Sequence, residues 1–193
     1  MSSYQKQDHH FHRAKREGFL ARSVYKLEEM DRRFDLLRKG DRVIDLGAAP
    51  GSWSQYAAQA VGPSGFVTGI DLERIGLSLS NAEFLQISIE AWLETAQLAP
   101  RTANVVLSDM APKTTGIRAT DQARSMALCE LALHTARQVL VPGGRFACKL
   151  FEGEGVQELR KEIRASFSKL ETLRPDATRT RSMEVYLIGI GFK

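Results

Sequence analysis

The run VIDLGAAPGSWSQYAAQ, Val43 to Gln59, compresses a strand, a turn and a helix into one short stretch. Val43 to Leu46 is β-branched and apolar apart from Asp45. Gly47-Ala48-Ala49-Pro50-Gly51 breaks that run with small residues and a proline. Trp53 to Val61 resumes as a helix and stops at Gly62-Pro63. A strand that hands over directly to a helix cannot close a hairpin. The helix carries the chain back, and the next strand lies parallel to the first. The turn falls at the carboxyl end of its strand, which is where open α/β sheets hold ligands.

The remaining sequence keeps that alternation. Strands are expected at Arg42–Leu46, Gly65–Ile70, Glu83–Gln86, Asn104–Leu107, Arg145–Leu150, Lys169–Leu173 and Glu184–Ile190. Helices are expected at Leu20–Phe34, Trp53–Val61, Glu90–Ala96, Asp121–Val139 and Val156–Phe167, with Pro142-Gly143-Gly144 ending the longest. The first of them has one apolar face, made by Leu20, Val24, Leu27, Met30 and Phe34. The predicted architecture is a doubly wound α/β fold with a mostly parallel seven-stranded sheet and helices on both faces. Only the polar loop Arg174–Met183 separates the last two strands, so that pair is expected to be antiparallel.

At 193 residues with 43% hydrophobic and 26% charged content, the chain suits one soluble domain, residues 19–193, behind a basic and flexible arm, residues 1–18. No run is apolar enough to cross a bilayer, and a cytoplasmic monomer is the expectation. Cys129 and Cys148 sit in apolar surroundings and read as core residues. His9, His10 and His12 cluster without a Cys or carboxylate to complete a ligand set, so no metal site is expected. Residues 1–40 hold ten Lys/Arg against six Asp/Glu, whereas residues 41–150 hold nine against ten. A basic end on a nearly neutral body suits a polyanionic partner.

Three carboxylates, Asp45, Asp71 and Asp109, are placed at strand ends beside the small-residue loop with Gly47 and Gly51. Asp71 lies 20 residues past Gly51, where such folds put an acid on a ribose hydroxyl. The dinucleotide fingerprint G-x-G-x-x-G is not met, and Pro50 has no N–H to offer a pyrophosphate. A loop opened by an acid and poor in donors fits S-adenosylmethionine, which carries an adenosine, a sulfonium and an ammonium group.

Together, DLGAAPGSWSQYAAQ and SDMAPKTTG (Ser108–Gly116) closely resemble the FtsJ/RrmJ family of RNA 2′-O-ribose methyltransferases. ARSVYKLEEMDRRFDLL, GRFACKLFEGEG (Gly144–Gly155) and RSMEVYLIG (Arg181–Gly189) extend the resemblance over nearly the whole chain. It implies the seven-stranded methyltransferase fold with an antiparallel last strand. It also implies a Lys-Asp-Lys-Glu catalytic tetrad at Lys26, Asp109, Lys149 and Glu184. By the same resemblance Gly51, Trp53, Asp71 and Asp109 contact S-adenosylmethionine. Asp45 and Gly47 join that set from the loop reading, and Ser88 stands where relatives often carry an acid near the adenine.

A ribose hydroxyl is a weak nucleophile, so such an enzyme aligns it behind the methyl group and manages one proton. Two lysines stabilise the charge that develops on oxygen, and their mutual repulsion favours a neutral amine. Lys149 interrupts the apolar strand RFACKLF, where an unpartnered lysine is costly, and it is the expected proton acceptor. Asp109 is expected to orient Lys149, and Glu184 to hold Lys26. Arg13, Lys15, Arg16, Arg22, Arg32 and Arg33, with Arg174, Arg179 and Arg181 before Glu184, would flank that site as an RNA surface. The implied substrate is a uridine of 23S ribosomal RNA on the assembled large subunit. The alternatives are a tRNA or cap substrate for the same tetrad, or a non-catalytic ribosome-assembly factor.

Overall fold

The computed structural model describes residues 11–96, 101–153, 155–178 and 183–193. Its strands are β1 (Arg42–Leu46), β2 (Phe66–Asp71), β3 (Ala82–Gln86), β4 (Ala103–Ser108), β5 (Leu140–Phe151), β6 (Phe167–Leu173) and β7 (Glu184–Phe192). They form one sheet in the order β3-β2-β1-β4-β5-β7-β6. Neighbours from β3 to β5 are parallel, and β7 runs antiparallel to both β5 and β6. The helices are α1 (residues 11–16), α2 (Val24–Phe34), α3 (Ser52–Val61), α4 (Ile89–Ala96), α5 (Arg118–Val139) and α6 (Val156–Ser166).

Alternation along each strand divides the core in two, because successive side chains point to opposite faces. Val43, Val105, Leu107, Ala147, Tyr186 and Ile188 meet Leu27 and Met30 of α2 and Trp53, Ala57 and Val61 of α3. Ile44, Leu46, Val106, Phe146, Cys148, Leu150 and Leu187 turn to the other face, toward α4, α5 and α6. Lys149 follows Ala147 by two residues, and Glu184 precedes Tyr186 by two. Both charged side chains therefore fall on the α2–α3 face, at the edge where β1, β2, β4 and β5 end.

Several boundaries differ from the sequence expectation. The α2 helix begins at Val24, not Leu20, which is 53% exposed. The Pro142-Gly143-Gly144 turn does not separate α5 from the next strand. Instead β5 starts at Leu140 and bulges through the turn, so Ala103 pairs with Leu140 but Val105 with Arg145. The described part of the arm is mostly exposed, with one buried residue. Ala14 is buried with Val24 and Tyr25, the Arg13 guanidinium lies 4.2 Å from the Tyr25 ring centre, and Tyr25 Oη donates to Glu17 at 3.0 Å. A single small apolar residue among charges gave the sequence too little contrast to reveal that contact.

Candidate active site

Period-2 alternation brings four charged residues from four elements to one place. Lys26, from the third position of α2, bonds Glu184 Oε1 at the start of β7. Lys149 Nζ, from β5, lies 2.9 Å from Asp109 Oδ1 and also donates to the Asp109 carbonyl oxygen. Lys149 and its partner are 8% and 19% exposed at the side chain, so both ions are largely removed from water but still reachable. Removing ions from water costs several kcal/mol each, roughly, unless partners compensate. Here each lysine has its own carboxylate.

Tyr186 ties the two ion pairs together. Its hydroxyl lies 2.6 Å from Asp109 Oδ1 and 3.2 Å from Glu184 Oε1, and its ring is fully buried. Burial, and then the charges of Asp109 and Glu184, push the phenol well above its ordinary range, so it acts as a donor. The ring rests against Trp53, 5.8 Å between centres, while the indole N–H donates to the Ser23 carbonyl oxygen at 2.9 Å. Tyr186 is not among the residues expected from the sequence, where an aromatic in a strand reads as core. Its signal is position: two residues after Glu184, it shares that residue's face, and it pairs with Lys149 across the β5–β7 ladder.

Beside the tetrad lies an open cavity of about 610 Å³. Gly47, Ala49, Asp71, Ser88, Glu90, Asp109 and Lys113 supply its polar and backbone wall, and Ile70, Ile87, Met110, Leu128 and Leu131 its apolar wall. Gly47 is at φ 71°, and a Cβ there would meet Met110 Cγ at 2.5 Å, so the loop can lie against the end of β4 only without a side chain. Asp71 accepts N–H groups from Ala49 at 2.9 Å and Glu73 at 2.8 Å. Ser88 Oγ accepts from Ala91 N at 3.1 Å and caps α4.

Three residues expected to touch a cofactor do not line this cavity. Gly51 opens α3 at φ 113° and packs under Ile75 and Leu77. Trp53 is buried in the core as the support of Tyr186. Asp45 is fully buried beneath the loop, with Oδ2 taking the Ser54 hydroxyl at 2.6 Å and Oδ1 without a hydrogen-bond partner. Burial pushes its carboxyl up to about 7, against the pull of Ser54 and with help from the charges of Asp109 and Asp71.

The expected RNA cations divide. Lys15, Arg16 and Arg32 are exposed. Arg13 is paired with Glu17 and Glu28, Arg33 with Glu29, and Arg22 is half-buried. Arg174 is exposed, and Arg179 and Arg181 lie outside the described residues. Among the described residues no cluster of three His, Cys, Asp or Glu side chains forms a metal site, and no helix is long and apolar enough to cross a membrane.

Comparison with known proteins matches residues 19–192 to the FtsJ-like methyltransferase family. Ribosomal RNA large subunit methyltransferase E of Bdellovibrio bacteriovorus is 48% identical, over 99% of this chain and 100% of its own length. The protein of the same name in Syntrophobacter fumaroxidans is 44% identical over 97% of each chain. Among solved structures, one described as a ribosomal RNA methyltransferase from Plasmodium falciparum superposes with a TM-score of 0.78 at 24% identity, covering 90% of this chain and 98% of its own. Aeropyrum pernix fibrillarin, solved with S-adenosyl-L-methionine, superposes at 0.59 and 13% identity over 80% of this chain and 68% of its own. At these identities the two structures speak for the fold.

Proposed function

Because the chain belongs to the FtsJ-like methyltransferase family, we propose that it methylates a ribose 2′-hydroxyl of large-subunit ribosomal RNA with S-adenosylmethionine as donor. The observation that carries this reading is Lys149 Nζ, held twice by Asp109 beside the cavity. The target is a uridine of 23S RNA in the assembled subunit, as the sequence resemblance implies.

The cavity fits the donor in size and charge. Its volume lies within the range of small-molecule sites, roughly 300–1,000 Å³. Asp71 and Asp109, at the ends of β2 and β4, favour a cationic ligand. Asp71, Ser88 and the backbone around Gly47 would hold the nucleoside, and the apolar wall its base. When bound, S-adenosylmethionine supplies a methyl carbon made electrophilic by the attached sulfonium.

The protein's own part is to place the oxygen and handle its proton. Beyond Cε, a lysine nitrogen has three positions for hydrogens or a lone pair. Asp109 occupies two through its carbonyl oxygen and Oδ1. The third has no partner among the described residues. As a lone pair it takes the hydroxyl proton, and as an N–H it stabilises negative charge growing on oxygen. Lys26, held by Glu184, keeps donors for the same ribose. Tyr186 fixes the spacing of both carboxylates.

The test incubates the purified protein with labelled S-adenosylmethionine and large subunits from cells lacking the activity, beside Lys149→Ala. Label recovered as a 2′-O-methyl nucleotide, and lost in the variant, is the expected result. Label on tRNA and none on subunits would overturn the substrate. Donor binding without transfer to any RNA would favour an assembly factor.

A further inference from the structure

The cations expected to hold RNA lie on the α1–α2 side or in the loop between β6 and β7. The structure presents another group on the opposite face. Residues 111–124, which lead from β4 into α5, contain Lys113, Arg118 and Arg124 and a single acid, Asp121. That acid is turned inward and is 6% exposed. Its Oδ1 accepts the Thr115 N–H at 2.7 Å and the Thr115 hydroxyl at 2.9 Å, and its Oδ2 accepts the Gly116 N–H at 3.2 Å. The Thr115 N–H above all holds the carboxyl below its usual range. Arg124 Nη1 closes the loop from behind by donating to the Lys113 carbonyl oxygen at 3.3 Å.

The loop therefore has a fixed shape and a single sign of charge outward. Lys113 and Arg118 are exposed, and neither is ion-paired among the described residues. Ile117, between them, is 63% exposed, a large apolar side chain with no cover. Lys113 also forms part of the cavity wall, so the inner end of the loop abuts the donor site. α5, which the loop enters, packs on the sheet face opposite α2.

We propose that Lys113, Ile117 and Arg118 form a second RNA-holding surface, which clasps the strand beside the target nucleotide from the face opposite α1 and α2. The inference rests on the ribose-methylation reading. Exposed cations on a loop whose own single acid is buried suit phosphates, which set the register of a nucleic acid. Ile117 supplies apolar contact for a sugar or an unstacked base, as single-stranded RNA offers. A loop already locked by Asp121 loses little freedom on binding.

The test compares Arg118→Ala, Ile117→Ser and, as an equal charge change at the amino ends of the strands, Arg38→Ala. Each is assayed for methyl transfer to large subunits, for binding to protein-free 23S RNA across a salt series, and for binding S-adenosylhomocysteine. For Arg118→Ala the expected result is a KM for subunits raised about fivefold, with kcat near wild type and a salt slope shallower by about one. Ile117→Ser raises KM by a smaller factor and leaves the slope alone. Arg38→Ala matches wild type, and all three bind S-adenosylhomocysteine normally. Unchanged KM and slope in Arg118→Ala would overturn the proposal. So would a defect seen on subunits but not on protein-free RNA, because the loop would then meet a ribosomal protein. If the wild type methylates no RNA while Arg118→Ala still flattens its RNA salt slope, the reaction falls and the surface stands.

Discussion

Arg145 and Lys149 lie four residues apart on β5, point to the same face, and each meets an aspartate. At the amino end Arg145 Nη2 reaches both oxygens of Asp41, at 2.9 and 2.8 Å, and the side chains are 5% and 9% exposed. Asp41 Oδ2 also takes the Arg38 N–H at 2.7 Å. That pair joins the start of β1 to β5 and is closed off from solvent. At the carboxyl end Lys149 keeps one position free, and Asp109 stays 19% exposed. The same two charges thus form a closed rivet at one end and, at the other, an open pair that is the proposed working group. Openness and the choice of lysine over arginine make the difference. A third aspartate, Asp45, shares the carboxyl edge and has a hydroxyl for a partner but no cation.

Substitution should separate these roles. The largest effect is expected from Lys149→Met, which lowers methyl transfer about a thousandfold. Its S-adenosylhomocysteine affinity and urea midpoint stay near wild type; a matching loss of midpoint would make Lys149 a rivet as well. Arg145→Met should do the reverse, losing roughly 3–5 kcal/mol of stability because Asp41 is left buried and alone. Transfer per folded molecule is retained. The double variant Asp41→Leu/Arg145→Met should recover most of that stability, as replacing both partners of a buried pair often does.

Asp45 gives the comparison a pH axis. Its carboxyl is raised from 3.8 to about 7, so between those values the native state keeps a proton that the unfolded chain has released. Stability of the wild type therefore falls as pH rises through that window. Asp45→Asn has no such proton, and relative to wild type it should gain up to roughly 4 kcal/mol between pH 4 and 8. Urea unfolding at both pH values measures it, and parallel curves would show that Asp45 is ionised throughout. The smallest effect is expected from Tyr186→Phe. It removes the hydroxyl between the two carboxylates and should lower kcat about tenfold, with little change in the RNA KM. An unaltered kcat would mean that the ion pairs hold their spacing unaided.

The sheet was legible because its strands are apolar runs bounded by Gly, Pro and Asp, and because Arg174–Met183 is too polar and short to hide a crossover helix. Lys149 was legible too, as a charge inside RFACKLF. Lys26 and Glu184 were not legible from chemistry alone, since a lysine on a charged helix and an acid at a strand start are ordinary surface residues. Only the resemblance singled them out. Trp53 shows the opposite limit: beside a ligand loop its sequence position suggests contact, yet a large ring on the inward face of α3 fills core. The Asp121-locked loop was invisible because two of its three bonds run to backbone N–H groups, which every residue but proline carries.

Lys26 and Glu184 are separated by 158 positions, and β7 enters the sheet between β5 and β6, strands made before it. During synthesis, β5 and β6 wait with open edges, and Lys26 waits without its acid. The proposed catalytic tetrad is therefore completed only with the last strand. A chain cut short before Met183 would lack Glu184 and Tyr186 and leave Lys26 without its acid, so the proposed mechanism makes interrupted translation yield an inert fragment rather than a weak enzyme.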